Sequence, residues 1–477
     1  MLMCPLGKKK RIFNLPLKAE SIEMTLSDSQ SSRGRKYHLK VKGKDLIFND
    51  ANFFVIIMEI EAKFLVQDET VFSRIAGMTS IASFEVGEMT ESIFRDTYLD
   101  TPDMAIYSSG YSFRYREKPG KTIFTLKSLE HEGSSIHKRE EIEVSCPEKR
   151  KLDELEEGRL KDLLLRLAGS GRLFPLFEVG HKRRTALITD HARELVELSL
   201  DDVTISCEGN DRSYLEVELE LRDSTEEELT LMVSAMGADF GLAPGNSSKF
   251  DNGLEMLQEN VRNLASRMDY SGISLRTGLH PLPLQEMFQE YDVEISHARK
   301  VAENSLELFD RLAPVHGLDP GLRIVMRMAA LVHDVGFTID VKDHHKEGRD
   351  ILLAHPPAEF PFPLFLMLPW TTFLHKKRID EHKLEKLRTK KDFADMPLQM
   401  QNHTLRLAAI LRIADGLDYS RMDSRIEGID LQEDKAIIRI QGPGAQTDAQ
   451  RADSKCDLWR ILFKTDLQLR PALHDQG

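Results

Sequence analysis

The sequence predicts an α+β multidomain protein: an N-terminal antiparallel β-barrel followed by an all-helical domain. Three observations carry this. From residue 58 to about 250, apolar and polar residues alternate with period two, as in strands whose faces differ. After residue 285 the apolar spacing changes to three and four, the period of helices. The 477 residues also exceed one ordinary domain, and with 41% hydrophobic content they supply material for two cores.

The elements follow in order. Residues 1–57, polar and then basic with no sustained period, are expected to be a flexible extension or sequence upstream of the true start. Residues 58–250 form the strand-rich domain, with segments at 112–117, 121–127, 138–144, 186–188, 197–205 and 213–221, punctuated by Gly110, Pro119-Gly120, Gly133 and Gly209-Asn210-Asp211. Helical spacing interrupts at 68–75 and 148–168. Residues 251–284, helical and then rich in Pro and Gly, are expected to link the domains. Residues 285–470 are the helical domain, with helices at 298–312, 320–333 and 400–418 and a late hairpin at 425–441.

Composition excludes several classes. A formal charge of −13 argues against general nucleic-acid binding, which needs a basic surface. No apolar run approaches the ~20 residues of a membrane span. Four scattered cysteines, without C-x-x-C spacing, indicate neither a disulfide framework nor a zinc ribbon. A cytoplasmic protein is the expectation, and self-association is left open.

The strands of the first domain carry charge on one face. Residues two apart share a face, so Glu59, Glu61 and Lys63 align, as do Arg114 with Arg116, Thr125 with Lys127, Lys182 with Arg184, and Glu216 with Glu218 and Glu220. Same-sign ladders repel, and their segregation by type points to bound counter-charges. Carboxylates suit a hard divalent cation such as Mg²⁺ or Mn²⁺. Arginine and lysine suit phosphate oxygens. A barrel closed around them would take a metal–polyphosphate complex in its lumen.

These residues, with Asp96 to Thr101, Lys138 to Glu141, Lys182 to Thr185 and Ser247-Ser248-Lys249, resemble in order and spacing the triphosphate tunnel metalloenzymes, the CYTH superfamily. The resemblance implies that Glu59 and Glu61 bind metal with a pair from Glu216, Glu218 and Glu220. It implies that Lys63, Arg114, Arg116, Lys127, one of Arg183 and Arg184, and Lys249 grip phosphates.

In the second half, His297, the pair His333-Asp334, and Asp415 occur in the order of the HD phosphohydrolases. Residues 285 to about 470 more closely resemble the C-terminal domain of the exopolyphosphatase/guanosine pentaphosphate phosphohydrolase (Ppx/GppA) family, without that family's N-terminal ATPase-like fold. The resemblance rests on Leu308-Phe309-Asp310, His316-Gly317-Leu318, Ala330 to Gly336, His344 to Gly348 and Leu411 to Ser420. It implies a first metal on His297, His333, Asp334 and Asp415. His345, or its neighbour His344, and His375 are candidates for a second. Mn, Mg, Fe or Zn would suit these donors. Lys346 and Arg349 are placed on a solvated helix face.

The expected function is metal-dependent hydrolysis of inorganic triphosphate or polyphosphate, with Glu59, Glu61, His333 and Asp334 at the chemistry. One alternative makes the HD site the catalyst on a nucleotide ester, with the barrel as sensor. The other is a non-catalytic polyphosphate-binding scaffold.

Overall fold

The computed structural model describes residues 58–472 apart from 119, 130–135, 148–154, 156–157, 170, 269 and 271–278, together with the backbone of the strands Leu2–Met3, Ile12–Phe13, Ser27–Ser31, Gly34–Val41 and Lys44–Asn49 and of the first barrel strand from Asn52. Within the expected extension, Ser27–Ser31, Gly34–Val41 and Lys44–Asn49 pair antiparallel in succession onto that first barrel strand, and the side chains of residues 1–57 lie outside the described residues.

Eight antiparallel strands close a barrel. They are β1 (Asn52–Val66), β2 (Thr90–Asp100), β3 (Tyr111–Lys118), β4 (Lys121–Ser128), β5 (His137–Pro147), β6 (Phe174–Asp190), β7 (Arg193–Cys207) and β8 (Asn210–Leu221). The order around the wall is β5-β4-β3-β2-β6-β7-β8-β1, and β1 pairs back onto β5. Alternation explains both faces of this wall. Ala62, Phe64, Val217 and Leu219 point outward and are buried under α1 (Glu69–Ala76) and α3 (Glu226–Phe240), with Phe72, Ile75, Leu229, Met232 and Met236. Phe113, Phe124 and Leu126 pack beneath α2 (Arg159–Ala168) through Leu160 and Leu164. The apolar core therefore lies outside the barrel wall, and the alternate, charged residues are left to fill its lumen.

One end of that lumen is apolar. Tyr98, Phe177, Val179, Val203 and Ile205 cluster with Phe250, Leu254 and Met256 of α4 (Lys249–Arg267), which closes the barrel there. Residues 251–284, read as a linker, thus open with a helix seated on the barrel. Gly253 permits the close approach: a Cβ there would lie 2.2 Å from the Phe177 ring.

The C-terminal region is helical. Its core is built on α6 (Ile295–Arg311), α7 (Arg323–Leu331) and α10 (Leu398–Gly416), preceded by α5 (Leu284–Glu290) and joined by α8 (His344–Ala354) and α9 (Leu368–Phe373). α10 is buried on nearly every side, which suits its run of Leu, Ala and Ile. The late hairpin is present as β9 (Arg425–Leu431) and β10 (Lys435–Gln441). The expectation of an otherwise all-helical domain is corrected by β11 (Asp466–Pro471), which follows α11 (Ala445–Ser454) and adds to β10 in parallel.

The two regions touch through charge. Arg299 of α6 donates to both oxygens of buried Asp103 at 2.7 and 2.8 Å and to the Ala168 carbonyl at 3.1 Å. Glu303 accepts the Arg172 backbone N–H at 2.7 Å. No helix among the described residues is long and apolar enough to cross a membrane.

Candidate functional sites

Inside the barrel, register brings opposite charges together across neighbouring strands. Asp201 lies beside Glu216, and Arg183 beside Asp201. Asp201, Glu216 and Glu218 offer oxygens all within 4.8 Å of one another. Three buried cations face them. Lys249 reaches Asp201 (3.0 Å), Glu218 (2.8 Å) and Glu216; Lys63 reaches Glu218 (3.0 Å) and Glu61 (3.1 Å); Arg183 reaches Asp201 (2.5 Å) and Glu218 (2.6 Å).

Burial opposes the charge on every member, and mutual pairing decides the outcome. Against desolvation, Glu218 is held well below the usual carboxylate range by Lys249, Lys63 and Arg183. Burial and the Glu218 charge push Glu216 up to about 7, with Lys249 opposing. Lys63 and Lys249 stay above the ordinary lysine value despite burial because carboxylates surround them.

On the opposite wall, Asp96 accepts Arg114 (2.6 Å) and both the Nε and Nη2 of Arg116 (2.7 and 2.9 Å). His181 Nε2 lies 3.2 Å from the same carboxylate. Burial lowers His181 to about 4, with Asp96 opposing. Lys127 donates to Glu59 at 2.7 Å and lies 3.6 Å from Glu141.

The lumen therefore collects Glu59, Glu61, Lys63, Arg114, Arg116, Lys127, Arg183, Glu216, Glu218 and Lys249. Glu220, beside Glu61 in the register, instead lies 3.5 Å from Arg222. One expectation is corrected. Lys182 and Arg184 do not face inward: Arg184 sits over the Phe72 ring, and Lys182 is exposed beside Glu91. They share a face with Ile188, which packs into the outer core, so Arg183 is the inward arginine. Among the described residues the compact carboxylate cluster is Asp201, Glu216 and Glu218; Glu59 and Glu61, expected as metal ligands, are not members of it. Asp201, Asp96 and His181 were missed, although His181 stands two residues from Arg183 and so on its face.

In the helical region, each expected ligand sits at or beside a helix end. His297 opens α6, His333-Asp334 follows α7, His344 opens α8, His375 follows α9, and Asp415 lies in the last turn of α10. Asp334 joins two groups. Its Oδ2 is 3.7 Å from His297 Nε2 and 3.4 Å from His333 Nε2. Its Oδ1 is 3.3 Å from His344 Nε2 and 3.4 Å from His375 Nε2. Asp415 lies 3.6 Å from His297 Nε2 and pairs with Lys455.

The outer nitrogens fix the rings. The Nδ1 atoms of His333, His344 and His375 face the carbonyls of Ala330, Val341 and Thr372 at 2.8, 3.0 and 2.5 Å. His297 Nδ1 meets Asp418 at 2.6 Å. A carbonyl only accepts, so each of those three Nδ1 atoms carries a proton, and a neutral ring turns its Nε2 lone pair inward. The Nε2 atoms then confront one another, His333 with His297 at 3.2 Å and His344 with His375 at 3.0 Å. Burial holds His333 near 4 and lowers His344, favouring the neutral form. His297 is raised to about 9, against burial, by Asp415 and Asp418. Imidazole Nε2 atoms gathered at hydrogen-bond distance around carboxylates suit divalent cations, and the carbonyl and carboxylate partners are the contacts that orient metal-binding imidazoles.

Of the adjacent histidines, His344 joins this cluster. His345 instead stacks on Phe373, 5.4 Å between centroids. Lys346 and Arg349 pair with Asp343 and Asp350 on the α8 surface. Asp418 and Lys455 were not singled out as site residues, although Asp418 lies one helical turn from Asp415.

Comparison with known proteins agrees with this division. Residues 58–236 match the CYTH domain, and residues 282–450 match the Ppx/GppA phosphatase, domain III. Two guanosine-5'-triphosphate,3'-diphosphate pyrophosphatases are similar to the chain. That of Aeromonas hydrophila is 27% identical over 44% of this chain and 43% of its own length; that of Pseudoalteromonas atlantica is 32% identical over 24% and 26%. The chain spans less than half the length of these relatives. Solved structures similar to the chain include a putative adenylyl cyclase, HpAC1 from Hippeastrum, with a dominant triphosphatase activity (17% identity, TM-score 0.33, 42% of this chain and 96% of that one). Another is a putative adenylate cyclase from Bacillus halodurans (22% identity, TM-score 0.31, 41% and 96%).

Proposed function

We propose that this chain, built of a CYTH barrel and a Ppx/GppA domain III, is a metal-dependent phosphohydrolase whose barrel acts on inorganic triphosphate or polyphosphate. The observation that carries the reading is the enclosed set of carboxylates, Asp201, Glu216 and Glu218, faced by Lys63, Lys249 and Arg183 in a lumen also lined by Arg114, Arg116 and Lys127. The residues fit a divalent metal: a hard-oxygen donor set of three buried carboxylates is gathered in one place. Asp201, Glu216 and Glu218, with Glu59 and Glu61 nearby, would hold it. Such an ion supplies charge neutralisation to the phosphate oxygens.

The chain's own groups account for the rest. Each lumen cation is now held by a carboxylate. A triphosphate offers the same cations charge-assisted bonds of comparable strength, so binding exchanges pairs and leaves few charges unmatched. Arg114 and Arg116, both paired with Asp96, and Lys127, on Glu59, would turn to phosphoryl oxygens. They would stabilise charge that grows on the leaving phosphate during hydrolysis. The apolar closure by α4 leaves a linear anion to lie along the lumen from the opposite end.

The helical region is proposed as an HD-type site. His297, His333, Asp334 and Asp415 would form one metal position, and His344 and His375, sharing Asp334, a second. The converging Nε2 atoms support this, as does the buried, unbonded Oδ1 of Asp334. This site would serve a phosphate ester or a nucleotide, the class that the names of the pyrophosphatase relatives indicate. Phosphate release from tripolyphosphate with Mg²⁺ or Mn²⁺, before and after chelation, tests the reading. Metal-dependent release is expected, and no release in either metal would overturn it.

A further inference from the structure

A cleft of about 440 Å³ lies between the barrel and the helical region, away from both sites. Phe174, Glu208 and Leu257 form its barrel side, and Arg311, Arg323 and Arg327 its helical side. Four arginines reach it, counting Arg172, and their partners differ. Arg323 is forked onto Asp310 at 2.8 and 2.9 Å, and Arg311 and Arg172 share Glu307.

Arg327 is different. Its Nε is buried without a hydrogen bond, and among the described residues no carboxylate lies within ion-pair distance of its guanidinium. The acids around it are committed elsewhere: Asp103 is clamped by Arg299, and Asp100 accepts the backbone N–H groups of Thr101, Ile106 and Tyr107. Glu208, exposed on the barrel side of the cleft, faces Arg323 and Arg327 without coming within ion-pair distance of either. Burial and the adjacent Arg323 push Arg327 below the ordinary arginine value, yet a guanidinium keeps its proton at any physiological pH. An enclosed cation without a counter-ion is costly unless something supplies one.

We propose that this cleft binds a small phosphate-bearing anion, held by Arg327 together with Arg323 at the junction of the two regions. The fork of a guanidinium matches a phosphoryl group, and two adjacent arginines suit its double charge. The rest of the wall is mixed: Glu178, Glu307 and Asp310 line it but are paired with Arg95, Arg172 or Arg311, and Arg323, while Phe174, with Arg172 and Arg323 over its ring, Leu257 and Ile324 form its apolar part. The volume lies within the range of small-molecule sites. The phosphoryl group could belong to free orthophosphate or to a nucleotide whose base lies on that apolar wall. The site joins the two regions through α7, whose C-terminal end leads directly into His333-Asp334.

The test is titration of the intact chain, in chelator, with orthophosphate and separately with adenosine monophosphate. The parent is compared with Arg327→Gln and with Arg323→Gln, whose surface pair with Asp310 makes it the safer variant for folding. The expected result is one anion per chain fewer, or at least tenfold weaker binding, in Arg327→Gln and a smaller loss in Arg323→Gln. Tripolyphosphate turnover should be unchanged in both. Tighter binding of the nucleotide than of orthophosphate would assign the apolar wall to a base, and equal binding would assign the site to the phosphoryl group alone. Equal stoichiometry and affinity in parent and both variants, or no anion bound by the parent, would overturn the proposal.

Discussion

Gly336 sits two residues after Asp334, where α8 docks against the turn that carries His333 and Asp334. A Cβ at this position would lie 2.4 Å from both the Gly348 nitrogen and the His344 carbonyl oxygen, and 2.8 Å from the Glu347 Cβ. Two of those atoms are backbone, so no rotamer change relieves them. Ordinary contact begins near 3.4 Å, so α8 must move by roughly 1 Å in Gly336→Ala. The displaced helix carries His344, whose Nε2 now lies 3.3 Å from Asp334 and 3.0 Å from His375. Overpacking of this kind costs about 1–3 kcal/mol, or roughly 2–12 °C in the melting of a region this size. Mn²⁺ affinity at the helical site should fall about tenfold or more, as when a metal ligand loses its orientation. Calorimetric Mn²⁺ titration and a thermal scan read the two effects, while tripolyphosphate turnover in the barrel should be unaffected. Unchanged melting and unchanged Mn²⁺ affinity would refute the claim that Gly336 is required for α8 to deliver His344.

Other outcomes follow from the same geometry. Arg183→Met should lower tripolyphosphate turnover by about 10²–10³, the scale of losing one preorganised donor, whereas Arg184→Met, on the outer face, should leave it within twofold; steady-state phosphate release compares them. Lys249→Met leaves Asp201, Glu216 and Glu218 short of a cation, so the metal-free protein should lose about 3–5 kcal/mol. Mg²⁺ should raise its melting temperature more than it raises the parent's, and equal Mg²⁺ shifts would count against a carboxylate metal cluster. Glu303, at the contact with Arg172, is raised to about 7 by burial, with Lys300 opposing. The folded state therefore holds its proton more tightly than the unfolded chain. The stability this adds is present at low pH and is lost as pH rises from the ordinary glutamate value to about 7, at most roughly 3 kcal/mol. Glu303→Gln keeps an acceptor for the Arg172 N–H and should flatten the fall in melting temperature between about pH 5 and pH 7.5. An unchanged slope would assign the pH dependence to other groups.

The sequence made the barrel wall readable because alternation is unambiguous where charge and bulk alternate together. Glu59, Glu61 and Lys63 against Ile60, Ala62 and Phe64 admit one arrangement. It failed where both parities carry charge. Lys182, Arg183 and Arg184 are consecutive cations, and only the outer packing of Ile188 and of Arg184 over Phe72 decides that Arg183 turns inward. Asp201-Asp202 poses the same problem, and register with Glu216 and Arg183 resolves it. In the helical region, His297, His333, Asp334 and Asp415 stand out by order. His344 and His345 are adjacent, and their separation by one step around the start of α8 is visible only in three dimensions. Lys455 acts on Asp415 from outside the motifs, so no spacing rule exposes it, whereas Asp418 lies within Leu411 to Ser420, one helical turn from Asp415. The helix α4 was half-visible in its periodicity, but its role as the plug of the barrel depends on Gly253 meeting Phe177.

The most direct test of the central claim is tripolyphosphate hydrolysis in Mg²⁺ by the intact chain, a Glu216→Gln/Glu218→Gln variant and a His333→Ala/Asp334→Ala variant, each confirmed to be folded. Loss of phosphate release in the glutamate variant alone is predicted. Full release from that variant, or loss only in the His-Asp variant, would contradict the assignment of triphosphate chemistry to the barrel.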